Sequence, residues 1–135
     1  MRRFSEEAFV DALKVCSVTE GETLLVHSSL MHLGRLEGTK PSDSPARLYE
    51  LIRSVIGQDG TVVVPAFTFA FCRGDAYDPK TTPSRGMGAF SEFVRTHPEA
   101  RRSPHPMQSV AAIGRNAEAI CSKETRSSFD DGGPF

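Results

Sequence analysis

Residues 57–68 read Gly-Gln-Asp-Gly-Thr-Val-Val-Val-Pro-Ala-Phe-Thr, and they say more about the fold than any other part of the chain. Asp59-Gly60 is a typical tight turn, and the three valines at 62–64 are apolar without alternation. Such a run predicts a strand that is buried on both faces. Pro65 places the end of that strand nearby, because proline cannot donate to a β-ladder. A strand of this kind needs helices on each face, so we expect an α/β fold.

Helical and extended patterns alternate along the rest of the chain. Ser5 is a suitable N-cap, Pro45 suits the first turn of a second helix, and Gly57 is suited to end that helix. Because the predicted strands are apolar on both faces and alternate with helices, we expect a mostly parallel sheet. Helices are predicted at 5–16, 44–56, 87–97 and 116–122, strands at 23–27, 61–67 and 109–114, and loops at 34–44 and 68–86.

The composition is that of an ordinary globular protein. The chain has 135 residues, of which 39% are hydrophobic and 24% charged, and its net charge is −1. This length fits one domain, and the balanced charge offers no basic surface for nucleic acid or for a membrane. No apolar run approaches the roughly 20 residues that a transmembrane helix needs. The basic start of the chain turns acidic at once, unlike a signal peptide, so we expect a soluble protein of the cytoplasm.

The cysteines and histidines indicate no disulfide framework and no metal site. Cys16, Cys72 and Cys121 are odd in number, widely spaced and without a CxxC pair. We therefore expect reduced, buried thiols of the kind usual in cytoplasmic proteins. None of the four histidines has a partner at the spacing of zinc ligands, so we expect no metal cofactor.

The predicted elements do not complete a sheet. Three strands make a narrow sheet for two covering layers of helix, and residues 131–135, Asp-Gly-Gly-Pro-Phe, form a turn rather than a closing element. We therefore expect residues 1–135 to be the N-terminal part of a single truncated domain. An unfinished sheet leaves an unpaired strand edge, so self-association is also expected.

Polar residues follow the first predicted strand at the point where it ends. Ser28, Ser29 and Leu30 come directly after His27, and in open α/β sheets ligands bind outside the carboxyl ends of strands. Serine hydroxyls and backbone N–H groups suit a diphosphate or an amide chain. A Ser/Thr turn that simply ends the strand is the alternative, and position alone leaves both open.

Aromatic and acidic residues follow the second predicted strand. Phe67, Thr68 and Phe69 stand at the strand end, and Asp75 and Asp78 lie in the loop beyond it. Aromatic rings beside carboxylates can form the wall of a site for a cationic or sugar-like ligand. The alternative is core packing for the phenylalanines and solvation for the aspartates.

A basic, proline-containing segment precedes the third predicted strand. Residues 101–106 read Arg-Arg-Ser-Pro-His-Pro, and Ser109 follows. Two arginines can bind a phosphate in a loop that prolines hold in place. A solvated basic turn is the alternative, and the GxSxG motif of serine hydrolases is absent from the sequence.

Taken together, these segments resemble the aminoglycoside 3-N-acetyltransferase family. Four ordered blocks carry the resemblance, at residues 21–30, 57–68, 77–88 and 102–114. The third block, which reads Tyr-Asp-Pro-Lys-Thr-Thr-Pro-Ser-Arg-Gly-Met-Gly, is the most distinctive. The blocks cover nearly the whole chain with spacing similar to that of the family.

The resemblance implies a three-layer α/β/α sandwich that moves an acetyl group from acetyl-CoA to an amine. In the name-giving case the acceptor is the 3-amino group of an aminoglycoside, and the reaction confers antibiotic resistance. Carried over residue by residue, the resemblance places one set of residues at the cofactor and another at the acceptor. The cofactor set is Ser28, Ser29, Leu30, Arg102, His105 and Ser109, and the acceptor set is Phe67, Thr68, Phe69, Asp75 and Asp78.

One departure from the family concerns catalysis. The catalytic histidine of the family and its acidic partner belong to a downstream block, rich in Asn and Thr, that residues 1–135 do not contain, so the catalytic residues of this chain are unknown. A catalytically inactive fragment that only binds CoA or a partner therefore stays open as an alternative. An acyltransferase for another amino sugar and a plain structural α/β module are the further alternatives.

Overall fold

The computed structural model describes residues 2–124, 126, 127, 129–131 and 133, so most of the turn expected at 131–135 lies outside the described residues. No helix in this part of the chain is long and apolar enough to cross a membrane. Six strands and six helices are described, and they are listed here in chain order. They are β1 (Arg3–Phe4), α1 (Glu6–Val15), β2 (Thr23–Leu25), α2 (Leu30–Leu33), β3 (Arg35–Leu36), α3 (Ser44–Ile56), β4 (Thr61–Pro65), α4 (Ala70–Arg73), α5 (Gly88–Thr96), β5 (Arg101–Arg102), β6 (Val110–Gly114) and α6 (Ala117–Cys121).

The valine-rich segment forms β4, an inner strand of the main sheet. The strand order is β2-β4-β6-β5, and β1 pairs separately with β3. β4 is parallel to β2, with Thr61 level with Thr23, and antiparallel to β6, with Thr61 level with Gly114. Every residue of β4 is buried, as the unbroken apolar run predicts.

The α/β class predicted from the sequence is confirmed, and the strand directions in the main sheet are mixed. β1 with β3 and β2 with β4 are parallel, as expected, whereas β6 is antiparallel to both β4 and β5. The reason lies in the two-residue strand β5, which the sequence pattern did not reveal. β5 completes a parallel crossover from β4 through α5, and the chain then returns as a hairpin that inserts β6 between them. Apolar residues on both faces show that β6 is buried but not in which direction it runs.

Side chains of the inner strands alternate between two cores, and this alternation produces three layers. Val62 and Val64 join the core that α3 and α5 cover, together with Leu48, Ile52 and Phe90. Val63 points to the opposite core, where Ala117 and Cys121 of α6 cover it. The three-layer α/β/α arrangement is thus confirmed. Each fully buried Val, Ile or Phe contributes about 1.5–3 kcal/mol to folding.

The first helix is fixed by the contacts that its sequence predicts. Ser5 caps α1 by accepting a hydrogen bond from the Ala8 N–H at 3.1 Å. The rings of Phe4 and Phe9 lie 6.0 Å apart, as expected for a hydrophobic staple.

The expectation that all three cysteines are buried was wrong for two of them. Cys16 and Cys72 are exposed, and only Cys121 is buried. Cys16 lies at the C-cap of α1, one residue past the helix, and Cys72 lies on α4, a single turn within a segment that we had expected to be loop. Burial raises the pKa of the Cys121 thiol to about 11.

The close approach of β4 and β6 at Gly114 yields a stability prediction. Gly114 has φ +128°, and a Cβ added there would lie 2.2 Å from the Gly60 carbonyl oxygen. We expect Gly114→Ala to lower the free energy of unfolding by more than about 2 kcal/mol, because the cost of the strained backbone and the cost of the steric clash add together. Gly38→Ala is the matched control, because its φ is +71° but nothing lies within 4 Å, so it should cost only about 1–2 kcal/mol. Urea unfolding would measure both, and equal losses would contradict the packing described here.

Candidate active site at the carboxyl edge of the sheet

Three loops meet where β2, β4 and β5 end, which we call the carboxyl edge. The three strands run in the same direction, because β2 is parallel to β4 and β6 is antiparallel to both β4 and β5. The edge therefore collects residues 26–30 after β2, residues 66–69 after β4 and the hairpin 103–109 between β5 and β6. In open α/β sheets this is the edge at which ligands bind.

The loop after β2 contains a buried hydroxyl that has no hydrogen-bond partner. The Ser28 Oγ is inaccessible to solvent and unpaired among the described residues. Ser29 is the N-cap of α2, and its hydroxyl lies 2.7 Å from Nδ1 of His32. A buried hydroxyl without a partner costs about 1–3 kcal/mol, so the position of Ser28 calls for an explanation.

The start of α5 lies against this loop. A Cβ placed on Gly88, the first residue of the helix, would lie 3.5 Å from the Ser28 carbonyl oxygen, which is van der Waals contact. Met87 is the N-cap and makes no capping hydrogen bond through its side chain. The first backbone N–H groups of a helix lack partners within the helix and carry partial positive charge. The carboxyl edge therefore combines two serine hydroxyls with a helix end suited to an anion.

The loop after β4 is a strained turn that several hydrogen bonds hold in place. Phe69 has φ 55° and ψ 23°, the left-handed region that costs a residue with a Cβ about 1–2 kcal/mol. The Thr68 hydroxyl donates to the Pro106 carbonyl at 2.6 Å and accepts from the Ala70 N–H at 3.1 Å. Arg73 donates to the carbonyls of Thr68 and Phe69 at 3.0 and 3.1 Å. Strain that is held this firmly is typical of functional sites.

The turn presents aromatic rings to solvent. The rings of Phe67 and Phe69 lie 6.2 Å apart in an edge-to-face arrangement. Phe69 is 39% exposed and Phe71, on α4, is 70% exposed. The core-packing alternative therefore does not hold for Phe69, whose side chain is partly exposed to solvent.

The two aspartates of the acceptor set are engaged within their own loop. Asp75 Oδ2 accepts from Arg73 at 2.6 Å, and Arg73 is the residue that holds the strained turn. Asp78 accepts from the Lys80 N–H at 2.8 Å and from the Thr81 hydroxyl at 3.0 Å, and these bonds lower the pKa of its carboxyl group. Their role at the acceptor stays a prediction, and in this structure both shape the loop.

Arg102 joins the loops of the carboxyl edge. Its guanidinium donates to the Ala66 carbonyl at 2.6 Å, to the Ser109 hydroxyl at 3.1 Å, and to the Thr82 carbonyl. It also lies 5.3 Å from the centre of the Tyr77 ring, within cation–π range. Burial lowers the pKa of this guanidinium, which keeps its positive charge and faces the neighbouring oxygens and the ring.

The cofactor set is therefore brought to one edge but is not uniformly available. Ser109 is fully buried, and its hydroxyl donates to the same Ala66 carbonyl at 2.7 Å. Arg102 and Ser109 thus contact the end of β4, and their role at the cofactor stays a prediction. Ser28 and Ser29 lie at the same carboxyl edge, but at the end of β2, which β4 and β6 separate from β5. There the loop after β2 adjoins the start of α5.

His105 is held in one tautomer by the hairpin. Its Nδ1 accepts from the backbone N–H groups of Met107 and Gln108, at 3.2 and 3.1 Å. Because both partners are donors, Nδ1 is the acceptor nitrogen of this ring. Nδ1 is thus unavailable as a proton acceptor for substrate.

Several residues outside the two predicted sets also shape this edge. Tyr77 donates its hydroxyl hydrogen bond to the Ser103 carbonyl at 2.9 Å. Glu92 accepts from Ser84 and forms an ion pair with Arg95 at 2.8 Å, which ties the segment before α5 to that helix. The spacing of Ser84 and Glu92 gives no local signal, because they meet only after residues 84–88 turn into the helix.

Comparisons with known proteins find similar sequences and similar folds. Residues 25–135 match the family described as aminoglycoside 3-N-acetyltransferase. Aminoglycoside N(3)-acetyltransferase III from Salmonella sp is 32% identical over 133 residues, which cover 86% of this chain and 45% of that protein. A solved mutant of aminoglycoside acetyltransferase AAC(3)-IVa in complex with apramycin matches with a TM-score of 0.76 and 32% identity, over 93% of this chain and 49% of that one.

A further solved structure supports the fold. The AAC-IIIb binary with CoASH matches with a TM-score of 0.81 and 22% identity, over 98% of this chain and 55% of that one. The chain therefore spans about half the length of the relatives that it matches.

The contacts of Arg102 predict a large difference between two neighbouring arginines. Arg102→Lys should lower the free energy of unfolding by about 2–4 kcal/mol, because a point charge cannot satisfy three oxygens of the edge at once. Arg101→Lys should cost less than about 1 kcal/mol, since its ion pair with Glu118 is exposed. Denaturant unfolding measures the losses, and amide hydrogen exchange should show faster exchange at residues 66–85 only in Arg102→Lys. Similar losses in both variants would contradict the role given to Arg102.

Proposed function

The chain belongs to the aminoglycoside 3-N-acetyltransferase family, and from that premise we propose that it forms the CoA-binding half of an N-acetyltransferase. The reaction moves an acetyl group from acetyl-CoA to an amine, and the proposed acceptor is the 3-amino group of an aminoglycoside. One observation carries the proposal. The chain matches this family, and at its carboxyl edge the serines of the loop after β2 lie close to the start of α5, where no side chain caps the helix.

The cofactor would lie along the loop after β2. The diphosphate of CoA is an anion, and the first N–H groups of α5 together with the Ser29 hydroxyl suit it. The amide-containing pantetheine arm would lie over this loop, and a shift of the loop on binding would bring the Ser28 hydroxyl, which is buried and lacks a partner in this structure, into contact with it. A relative in this fold is named as a complex with CoASH, which supports the choice of ligand.

The acceptor would contact the aromatic turn after β4. An aminoglycoside is a polycation, and the partly exposed aromatic ring of Phe69 suits a cation or a sugar ring. A relative at 32% identity is named as a complex with apramycin, which supports this acceptor class. In the proposal Asp75 and Asp78 act at the acceptor through their negative charge, which their local hydrogen bonds leave in place.

The chemistry requires one proton acceptor. The amine nitrogen attacks the thioester carbonyl carbon, the C–N bond forms, the C–S bond breaks and the sulfur leaves as the CoA thiolate. The nitrogen then gives up a proton, and a general base contributes about 10²–10⁴-fold to such steps. The resemblance to the family implies a catalytic histidine in a downstream block of the family sequence, so we assign the base to that block.

The proposal also includes a cellular role. Cys16 and Cys72 are free and exposed, which suits a reducing compartment. Acetylation in the cytoplasm would remove a positive charge from the antibiotic before it reaches its target, and so confer resistance.

The loop after β2 can be tested through CoA binding. Ser28→Ala combined with Ser29→Ala should weaken CoA binding by about 1–3 kcal/mol, or about 5- to 150-fold in Kd, because two hydroxyl contacts are lost. Isothermal titration calorimetry on the purified chain measures the change. Ser54→Ala is the control, since Ser54 is exposed near the end of α3 and donates only to the Leu51 carbonyl. Unchanged affinity in the double variant would remove this loop from the site.

A further inference from the structure

A cavity of about 560 Å³ lies beside β5, the edge strand at the opposite side of the main sheet from β2. Three further segments line it, namely residues 79–81 of the loop after α4, the last turn of α5 and the helix α6. Its volume falls in the range of small-molecule sites, about 300–1,000 Å³. Of the residues assigned above to the cofactor or to the acceptor, only Arg102 lines it. This cavity, which we call the β5 cavity, therefore belongs to neither of those sites.

Positive charge is concentrated in the lining of the β5 cavity. Among the described residues, four cationic side chains line it and one carboxylate does. The cations are Lys80, Arg95, Arg101 and Arg102, and the carboxylate is Glu118. This excess does not follow from the composition of the chain, which has 16 basic and 17 acidic residues. A cavity lined mostly by charges of one sign concentrates ligands of the opposite sign.

Arg95 is fixed in the wall of the cavity with part of its guanidinium unused. Its side chain is only 10% exposed, and Nη2 forms an ion pair with Glu92 at 2.8 Å. Nε also donates to Glu92, at 2.9 Å, whereas Nη1 makes no hydrogen bond to any residue that the structure describes. Burial lowers the pKa of the Arg102 guanidinium, and the positive charge of Arg95 lowers it further, so the two guanidinium groups repel each other. An anion in the cavity would offset this repulsion.

Arg101 and Lys80 are exposed and have donors to spare for a ligand. The ion pair of Arg101 with Glu118, at 2.6 Å, uses Nε and leaves both terminal nitrogens without a partner in the described part of the chain. The backbone N–H of Lys80 donates to Asp78, but the Lys80 ammonium group forms no ion pair with a described carboxylate. Because these two side chains and Nη1 of Arg95 border the same cavity, they can donate to one ligand.

The charge of the β5 cavity matches that of a phosphomonoester. Glu118 and Glu92 neutralise two of the four cations, which leaves an excess of two positive charges. A phosphomonoester carries about −1.5 to −2 charges at pH 7 and has three acceptor oxygens, and guanidinium groups bind such oxygens through paired hydrogen bonds. The phosphate would occupy only part of the cavity, so an organic group has room beside Pro79 and Ala100.

We propose that the β5 cavity binds a phosphorylated small molecule, whose phosphomonoester group is held by Lys80, Arg95 and Arg101. This phosphate position is distinct from that of the CoA diphosphate in the proposed function. Three strand spacings, about 14 Å, separate β5 from β2, and α5 rises about 10 Å from Gly88 to Arg95. CoA also carries one phosphomonoester, on the 3′ position of its ribose, so a free phosphorylated compound and this group of CoA share the required chemistry. Acetyl transfer is not needed for binding in the cavity, so the two sites can fail independently.

Titration of the ¹⁵N-labelled chain with glucose 6-phosphate, followed by two-dimensional NMR, tests the site. We expect the largest amide shifts at Lys80, Thr81, Arg101 and residues 118–122, and no shift there with glucose, which lacks the phosphate. CoA and dephospho-CoA, which lacks the 3′-phosphate, identify the source of the phosphomonoester. If glucose 6-phosphate still shifts the cavity residues in the presence of saturating CoA, the occupant is a free phosphorylated compound. If CoA shifts them and dephospho-CoA does not, the occupant is the 3′-phosphate of the cofactor.

Two double variants decide whether the cavity residues are responsible. Lys80→Gln combined with Arg101→Gln should raise the Kd of the ligand that shifts the cavity by about 10-fold or more. Lys40→Gln combined with Arg115→Gln is the matched control, because it removes the same charge from exposed residues outside the cavity, and the ion pair of Arg115 with Asp59 is as exposed as that of Arg101. The control should change the Kd by less than about 2-fold. Thermal unfolding confirms that both double variants fold. The proposal is overturned if neither glucose 6-phosphate nor CoA shifts the cavity residues, or if both double variants weaken binding equally.

Discussion

Burial of β4 on both faces is the constraint on which the rest of the molecule depends. Val62 and Val64 face one core and Val63 the other, so helices are needed on both sides of the sheet. Because β2, β4 and β5 run in the same direction, their following loops must meet at one edge. The position of the candidate active site is thus a consequence of how the valine-rich strand is packed.

Where the apolar core ends, polar contacts stabilise the chain. Beyond Pro65 the chain forms a strained turn. Hydrogen bonds from Arg73, Thr68 and Arg102, rather than hydrophobic packing, fix the conformation of this turn. Arginine suits this task because its planar group donates to several oxygens at once. The loop after β2 differs, since its Ser28 hydroxyl is buried and unpaired. The polar groups of the turn are therefore hydrogen-bonded within the protein, whereas the Ser28 hydroxyl still lacks a partner among the described residues.

Most of the fold could be predicted from the sequence because helices and strands have strong periodic signals. The helices at Glu6–Val15 and Ser44–Ile56 lie within one or two residues of their expected bounds. The two-residue strand Arg101–Arg102 was missed, because a charged pair gives no strand pattern and depends on tertiary pairing alone. Site positions at strand ends were predictable. What each side chain contacts was not, since Arg102 meets Ala66 and Thr82 across many residues of chain.

The central claim is that CoA binds at the carboxyl edge between the loop after β2 and the start of α5. Titration of the ¹⁵N-labelled chain with CoA, followed by two-dimensional NMR, tests it most directly. The account predicts that the largest amide shifts fall at residues 28–30 and 88–90, while Thr61 and Gly114, at the opposite edge of the sheet, stay unchanged. Shifts concentrated along β5 and α6, with residues 28–30 unaffected, would contradict it.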